Sequence, residues 1–361
     1  MPIVWCAISG HGFGHAAQVV PVLNELGKRI PKLHVVLRTT VPAAFFARRL
    51  HVSWELSPSV QDVGCVQQGP LTIDVAATWR AYQQFHATWA QRVAEEVQSL
   101  RVWRPRLVLS NISYLALEAG KRAGIPTVAL ASLAWDEILE GLQSEETEAC
   151  RHIIQHIRAS YQQADLLIRL SPGLPLKAFP HVQTVGPVNR PIHSSSQNHL
   201  KNNGRDTPLV LVAFGGVPLS SFPSERVARL RGYHVLLDRS LAEMHAAAWR
   251  SPFESQAGAQ GFDERFAMAD VIVSKPGYAT VVEAVAARKP LIYVRRENFA
   301  EEPALVEYLH RFGRACELSR EEFFSGAWER ALHDVTVLPA PTMPPPPSGI
   351  PRAVELLISV L

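Results

Sequence analysis

Cysteine is scarce in this chain: only Cys6, Cys65, Cys150 and Cys316 occur among 361 residues. No two of them form a CxxC pair, and this spacing argues against a disulfide framework and against a zinc cluster. An ordinary hydrophobic fraction of 47% accompanies this scarcity and predicts a folded protein with sizeable cores. Because the few, scattered cysteines indicate no disulfide framework, we expect the protein to function in the reduced setting of the cytoplasm.

Long apolar runs are also missing from the sequence. No window offers about 18 uninterrupted apolar residues, so we expect no transmembrane helix, while peripheral contact with a membrane stays open. The apolar segment 1–8 has neither a basic flank nor a small-residue cleavage site, which favours a first β-strand over a signal peptide.

Neither sign of charge dominates. The formal net charge is +3, which by itself is too weak to indicate a nucleic-acid partner. No Asp-x-Asp triplet occurs, and this motif is the usual means of holding a divalent ion on a sugar-nucleotide pyrophosphate. We expect no metal and no other cofactor. The sequence indicates no oligomeric state.

Apolar runs alternate with stretches of helical period along the whole chain. The pattern predicts strands at 3–8, 33–38, 107–110, 127–131, 166–170, 209–214, 233–237, 271–273 and 291–294. Helices are predicted at 14–28, 41–50, 75–100, 114–123, 151–164 and 278–287. Such alternation is typical of an α/β protein with parallel, doubly wound sheets.

Composition divides the chain into two parts of similar design. Residues 189–207 are rich in Ser, Asn and Pro, which predicts a linker between a first domain at 1–188 and a second at 208–345. The prolines at 341–351 predict an extended connector. Residues 350–361 then form a short apolar helix that we expect to pack back on the first domain.

The segment 273–284 is the most informative one, because it predicts a buried strand, a glycine turn at Gly277 and a helix beginning at Tyr278. The unpaired first-turn N–H groups and the helix dipole favour an anion at that place. Glu283 lies one turn into the helix, within reach of a neighbouring ribose. These features indicate a bound nucleoside diphosphate. Gly215 and Gly216, which follow another strand, either bring backbone N–H groups to a phosphate or form a plain turn.

A second glycine-rich segment, Gly10-His11-Gly12-Phe13-Gly14-His15, directly follows the first predicted strand. It lacks the Gly-Lys-Ser/Thr end of a Walker loop, and His15 stands where a dinucleotide fingerprint needs glycine. Two interpretations remain open. The loop frames an acceptor or a phosphate beside His11 or His15, or it is a tight turn whose histidines bond locally. No third ligand accompanies the two histidines, which argues against a metal pair.

Charged side chains follow two further strands. Asp136 and Glu137 come after the strand at 127–131 and act either as a general base or as first-turn residues of a helix. Arg295 and Arg296 follow the strand at 291–294, where they bind phosphate or pair with nearby glutamates. Glu301 and Glu302 open the next helix; they accept hydrogen bonds from sugar hydroxyls or match the helix dipole.

Taken together, these segments resemble glycosyltransferases of the GT-B architecture, in which two Rossmann-like domains face a cleft. They are similar to the MurG and monogalactosyldiacylglycerol synthase group, and closer still to the N-terminal glycosyltransferase-like region of plant L-arabinokinases. The resembling segments, in the same order, are GHGFGHA at 10–16, WD at 135–136, LIRL at 167–170, FGG at 214–216, GYATVVEA at 277–284 and VRRENFAEEP at 294–303.

The resemblance implies an inverting, metal-independent glycosyltransferase with a nucleoside-diphosphate-sugar donor. The implied donor-binding residues are Gly215, Gly216, Lys275, Gly277, Tyr278, Ala279, Thr280, Glu283, Arg295, Asn298, Glu301 and Glu302. Glu283 holds the ribose, and His15 or Asp136 takes the proton of the acceptor. Glu301 and Glu302 depart from the amide-rich pattern of the family, so the donor sugar stays open.

Sugar phosphorylation is not carried over from the arabinokinases, because no kinase-type phosphate loop is present and we expect no kinase domain within this chain. Two alternatives to a transferase remain. One is a GT-B protein that binds a sugar, a nucleotide or a protein without catalysis, and the other is a nucleotide-sugar 2-epimerase. The nucleobase and the acceptor, whether a small molecule or a lipid-linked one, are not indicated by the sequence.

Overall fold

The computed structural model describes residues 1–142, 147–190, 207–247, 249 and 261–361. Most of the predicted linker, residues 191–206, lies outside this described part. We call the described residues up to 190 the N-lobe, and those from 207 to 338 the C-lobe.

The described N-lobe is built on one parallel sheet of seven strands in the order β3-β2-β1-β4-β5-β6-β7. The central strands β1, β4 and β5 are almost wholly buried, since helices cover both faces of the sheet. The strands are β1 Ile3–Ile8, β2 His34–Arg38, β3 Ser53–Leu56, β4 Leu107–Asn111, β5 Thr127–Ala131, β6 Leu166–Leu170 and β7 Val182–Val185.

The helices of the N-lobe begin where the sequence supplies N-caps. Asp74, Ser113 and Thr147 each accept a hydrogen bond from the backbone N–H three residues later. The helices are α1 Gly14–Arg29, α2 Ala43–Ala47, α3 Val75–Ala87, α4 Trp89–Trp103, α5 Tyr114–Ala123, α6 Trp135–Glu140 and α7 Glu148–Tyr161.

The described C-lobe repeats this design on a smaller scale, with a parallel sheet in the order β12-β11-β10-β8-β9. Its strands are β8 Leu209–Val212, β9 His234–Leu237, β10 Val271–Ser274, β11 Leu291–Tyr293 and β12 Ala315–Glu317. Its helices are α8 Ser224–Val227, α9 Arg239–Met244, α10 Phe262–Met268, α11 Tyr278–Ala286, α12 Glu302–Phe312, α13 Arg320–Ser325 and α14 Glu329–Val337. The predicted α/β fold with two parallel sheets is confirmed.

Several element predictions were wrong in detail. The helix predicted over 75–100 is broken at Thr88, whose backbone leaves the helical conformation, so that Phe85 and Trp89 enter the same core cluster from two helices. The strand predicted at 209–214 ends at Val212. Strands β3, β7 and β12 were missed, because they are three or four residues long and none is fully buried.

A loop of the N-lobe joins the two lobes at one end. Leu71, which is 2% exposed, packs among core residues of the C-lobe, and its carbonyl oxygen accepts the N–H of Glu297 at 2.8 Å. Arg320 donates to Thr72 at 3.0 Å and pairs with Glu297 at 3.0 Å. This contact, the Leu71 clasp, holds the carboxyl ends of the two sheets towards each other.

The last described helix, α15 Ile350–Ile358, returns to the N-lobe and lies against α1. Ala353, Val354 and Leu357 are fully buried there. No helix in the described ranges has both the length and the apolar composition that crossing a bilayer requires.

Replacing Leu357 by Ala should therefore destabilise the protein by ~2–5 kcal/mol, the usual cost of a cavity in a packed core. Equilibrium unfolding in urea measures the change. The neighbouring Ile358, which is 40% exposed, supplies the control, since Ile358→Ala should change stability by less than about 0.5 kcal/mol. Equal effects of the two substitutions would show that α15 does not contribute a packed face.

Candidate functional site

The loops that follow the strands of both sheets surround one cavity of about 780 Å³. The N-lobe contributes the segments after β1, β2, β3 and β5, and the C-lobe contributes those after β8, β9, β10 and β11. Open parallel sheets bind their ligands at this carboxyl edge. All of Gly10, His11, Gly12, Phe13, Gly14 and His15 line the cavity.

The C-lobe wall of the cavity contains both the backbone of glycine turns and charged side chains. Helix α11 begins after Gly277, and no side chain caps its first turn, which leaves N–H groups free for an anion. Gly215 and Gly216 both have positive φ, at 70° and 76°, a conformation that favours glycine. Ala279 and Thr280 also line the cavity. The side chain of Lys275 lies beside Gly215 and Gly277.

Within the described ranges, Lys275 carries a positive charge without a negative partner. It has no hydrogen bond and no ion pair with any described residue, and its Nζ would lie 3.5 Å from a Cβ placed on Gly277 and 3.9 Å from one placed on Gly215. Burial lowers its pKa to about 8, helped by the charge of Arg296 and opposed by Glu301 and Glu302. A desolvated ammonium between two glycine turns and a helix N-terminus is suited to an anion.

The arginine that reaches this wall is Arg296 and not Arg295. Arg296 is buried, donates to Glu302 at 2.9 Å, to Glu301 at 3.1 Å and to the carbonyl of Pro276 at 3.0 Å. Arg295 is half-exposed, donates to Glu317 at 3.0 Å and does not line the cavity. The position of Arg295 therefore does not fit the predicted contact with phosphate. Successive residues of this loop point to opposite sides, so Arg296 lines the cavity and Arg295 does not.

Of the three predicted sugar contacts, Glu301 alone lines the cavity. Its Oε2 is buried and has no hydrogen-bond partner in the described part of the chain. Glu302 is turned inward, where both its oxygens accept from Arg296. Asn298 is exposed, lies outside the cavity and has a φ of 65°. The predictions for Glu302 and Asn298 thus do not fit their positions.

Glu283 lines the cavity as predicted, but its carboxylate already has a partner. Arg190, the last described residue before position 207, donates Nε and Nη2 to the two carboxylate oxygens, each at 2.7 Å. The hydroxyl of Tyr278 accepts the N–H of Val188 at 3.0 Å, so Tyr278 offers its backbone rather than its hydroxyl to the cavity.

On the N-lobe wall, a chain of hydrogen bonds fixes the ring of His15. Its Nδ1 lies 2.7 Å from Asn111 Oδ1. The Asn111 amide donates to Gln18 at 2.9 Å, and Gln18 donates to Ser132 at 2.8 Å. Because Asn111 Oδ1 can only accept, Nδ1 of His15 carries the proton and Nε2 keeps its lone pair. No described residue forms a hydrogen bond with Nε2 of His15.

Burial lowers the pKa of His15, against the opposing effects of the Asn111 hydrogen bond and the charge of Glu301. The ring is therefore neutral near pH 7 and able to accept a proton. His11 instead forms a local hydrogen bond that fixes the loop, since its Nδ1 accepts the N–H of Cys65 at 3.2 Å. Burial, with the charges of His15, Lys275 and Arg296, lowers the pKa of His11 to about 3.

The other predicted base, Asp136, is turned away from the cavity. Its side chain is buried and pairs with Arg158 at 3.1 Å, because the first turn of α6 points it towards α7. The preceding residue, Trp135, lines the cavity in its place. This position does not fit the role of a general base for an acceptor.

Sequence analysis overlooked a buried carboxylate, Asp62, next to this wall. It accepts from Trp135 Nε1 at 2.9 Å and from Ser9 Oγ at 2.8 Å, and burial raises its pKa to about 6. Asp62 lies in a segment without helical or strand periodicity, so the sequence pattern did not indicate a functional residue there. Arg190 was also overlooked, because it lies inside the predicted linker, 189–207. Among the described residues, no three His, Cys, Asp or Glu side chains are grouped to hold a metal ion.

Comparison with known proteins supplies a relative for most of the chain. No family model matches the sequence. The chain is 29% identical over 333 residues to L-arabinokinase of Arabidopsis thaliana, and the match covers 90% of this chain. It covers 32% of the arabinokinase, so the chain spans about a third of the curated relative it matches.

Solved structures share the fold over nearly the whole chain. MurG of Acinetobacter baumannii is 13% identical with a TM-score of 0.56, and the match covers 99% of this chain and 100% of MurG. Phytolacca americana UGT2, complexed with UDP-2-fluoro-glucose and pterostilbene, is 14% identical with a TM-score of 0.57, covering 100% and 94%. The calicheamicin glycosyltransferase CalG4 is 16% identical with a TM-score of 0.58, covering 99% and 94%. The fold is thus of the GT-B type.

The bond between Asn111 and His15 gives a test that needs no ligand. Asn111→Asp places a carboxylate beside Nδ1 and should raise the pKa of His15 by about 1 or more, because an opposite charge stabilises the imidazolium. NMR titration of the histidine ring signals measures this pKa. Asn298→Asp, which adds the same charge outside the cavity, should leave it unchanged. An unchanged pKa in Asn111→Asp would contradict the assigned contact.

Proposed function

We propose that this protein is an inverting, metal-independent glycosyltransferase whose donor is a nucleoside-diphosphate sugar. The observation that carries the proposal is the ammonium of Lys275, which has no partner among the described residues and lies between the Gly215–Gly216 turn and the N-terminus of α11. A diphosphate supplies the negative charge that this place lacks. Counter-charge from Lys275 and the helix dipole is our reason to assign no metal to the reaction.

The residues around Lys275 support a complete donor. Glu283 lines the cavity one turn along α11, in reach of the ribose of a nucleotide whose diphosphate occupies the helix N-terminus. Glu301 presents a buried carboxylate oxygen that has no partner in the described part of the chain, and a sugar hydroxyl would satisfy it. The UGT2 structure, with UDP-2-fluoro-glucose bound in the same fold, is consistent with this class of donor.

The chemical step uses the N-lobe wall. Neutral His15 accepts the proton of an acceptor hydroxyl at Nε2 while the acceptor oxygen attacks the anomeric carbon of the donor sugar. The bond from that carbon to the diphosphate breaks, and Lys275 with the first-turn N–H groups of α11 stabilises the charge on the leaving group. Attack from the N-lobe side, opposite the diphosphate, inverts the anomeric configuration.

The acceptor end of the cavity is apolar. The rings of Phe13 and Phe45 stack with centroids 5.2 Å apart, and Pro21, Pro42 and Ala44 line the cavity beside them. Such a wall favours an acceptor with an apolar or planar part, either a small molecule or a lipid-linked one. The pterostilbene in the UGT2 complex is an acceptor-sized molecule of this kind.

A second candidate is a protein that binds a nucleotide sugar without transferring it. The specific observation in its favour is Asn111, because a neutral amide stabilises an imidazolium less than a carboxylate does. The 2-epimerase alternative predicts an epimer of the donor sugar, whereas a transferase passes the sugar to an acceptor. NMR of the products distinguishes the epimer from the transferred sugar. Sugar phosphorylation is not proposed, although the curated relative is an arabinokinase.

The direct test of the function is a panel of UDP-, GDP- and TDP-sugars, each measured for binding and for release of the nucleoside diphosphate. We expect saturable binding of at least one donor and release with water or an added acceptor. His15→Gln should keep binding within about twofold and lower release by about 10²-fold or more, as removal of a general base does. The exposed His333→Gln should match wild type. If no donor binds and Glu283→Ala behaves as wild type does, the proposal is wrong.

The pH dependence of binding tests Lys275 itself. Its lowered pKa of about 8 means that Lys275 loses its charge as the pH rises through that value. The affinity for a nucleoside diphosphate should therefore fall by up to about tenfold between about pH 7 and pH 9. Calorimetric titration at each pH measures this affinity. Lys275→Arg stays charged over this range, so its affinity should be flat. A flat wild-type curve would contradict the role of Lys275.

A further inference from the structure

We infer that Asp62 is a positioning residue: acting through the indole of Trp135, its carboxylate stabilises the positive charge that forms on His15 when this histidine accepts a proton. The inference rests on the proposed function, in which His15 is the general base. Asn111, which orients the ring of His15, is a neutral amide and brings no charge to it. A negative charge for the imidazolium has to come from another side chain.

A comparison of three similar pairs singles out Asp62. Three buried carboxylates of the described N-lobe each accept the ring N–H of a tryptophan: Glu96 from Trp5 at 2.7 Å, Glu118 from Trp89 at 3.1 Å and Asp62 from Trp135 at 2.9 Å. Glu96 also pairs with Arg38, and Glu118 also pairs with Arg122. Asp62 forms no ion pair with any described residue. Its two oxygens accept from Trp135 and from Ser9, which are both neutral.

The titratable groups close to Asp62 supply no positive charge either. Burial raises the pKa of four of them and keeps them neutral near pH 7: Cys65, Tyr82, Tyr114 and Tyr161. Burial also raises the pKa of Asp62 to about 6, so the carboxylate is ionised at about pH 7.5. A buried carboxylate that the surrounding residues leave uncompensated costs stability, which indicates a function rather than a role in folding.

Trp135 connects this carboxylate to the cavity. The indole lines the cavity, and its ring centroid lies 5.6 Å from that of His15, with the two planes at 52°. A cation within about 6 Å of an indole centroid is attracted to the ring. The bond from the indole N–H to a carboxylate is charge-assisted and polarises the ring further. Asp62 and the indole therefore both lower the energy of an imidazolium at His15.

Of the two histidines beside Trp135, only His15 is suited to take up the charge. The ring centroid of His11 lies 5.5 Å from that of the indole, but its Nδ1 already accepts the N–H of Cys65. Burial, with the charges of neighbouring side chains, lowers the pKa of His11 to about 3, so this ring stays neutral. Nε2 of His15 has no hydrogen-bond partner among the described residues and is free to accept a proton.

Acylation of His15 by diethyl pyrocarbonate tests the inference without a donor or an acceptor. Nε2 attacks the reagent, and the ring becomes positive as the new bond forms, so the rate reports how well the site stabilises that charge. Asp62→Asn removes the charge but keeps the shape, since the amide accepts from Trp135 and donates to Ser9. At about pH 7.5 it should slow acylation of His15 by about threefold or more, as measured by mass spectrometry on the full chain.

Rescue separates a lost charge from a lost structure. Asn111→Asp, added to Asp62→Asn, returns a negative charge to the ring of His15 and should restore the acylation rate. In the transferase assay, Asp62→Asn should lower kcat for release of the diphosphate by about tenfold and leave the Kd of the donor unchanged. It should unfold at an equal or higher urea concentration than wild type, because it no longer buries a charge.

The control is Glu118→Gln, which removes the carboxylate from another indole, that of Trp89, outside the cavity. Its acylation rate at His15 should equal that of wild type. A wild-type rate in Asp62→Asn, a slow rate that Asn111→Asp does not restore, or equal slowing in Glu118→Gln would overturn the inference. A wild-type protein that releases no diphosphate from any donor, although Asp62→Asn slows acylation as expected, would overturn the proposed function instead.

Discussion

The constraint on which the account depends is one positive charge, that of Lys275, for which the described residues supply no negative partner. The ammonium of Lys275 lies in the cavity beside two glycine turns, and burial depresses its pKa. Nearby carboxylates exist, but Arg296 takes both oxygens of Glu302 and one of Glu301. A folded protein that keeps a desolvated cation unpaired is suited to a ligand that brings the opposite charge. The proposed diphosphate has that charge and matches the free N–H groups of α11.

The cavity exists because both lobes turn the same edge of their sheets towards each other. Contacts that cross between the lobes include the Leu71 clasp, the ion pair of Arg49 with Asp263 and the hydrogen bond of Val188 to Tyr278. Phe13 of the N-lobe also lies against Gly216, where a Cβ would come within 2.8 Å of its ring. The charged C-lobe wall and the N-lobe wall with its apolar end are thereby brought to opposite sides of one space. That division matches a donor with a charged leaving group and an acceptor with an apolar part.

The sequence predicted what local patterns determine. Strand, glycine turn and helix at 271–286 follow from apolar periodicity and turn residues, and so do Lys275 and Glu283 at the cavity. Which of two successive arginines faces inward depends on the path of the loop, so Arg295 was chosen where Arg296 lines the cavity. Asp62 and Arg190 act through partners more than 50 residues away, and no local pattern encodes such contacts. The short strands β3, β7 and β12 depend on neighbours in the same way.

The central claim is that Lys275 and the first turn of α11 receive a diphosphate. A crystal structure of the protein with the nucleoside diphosphate that binds best tests this claim most directly. The account predicts phosphate oxygens about 3 Å from Lys275 Nζ and from backbone N–H groups of the α11 first turn. A nucleotide bound elsewhere, with Lys275 making no contact to phosphate, would contradict it.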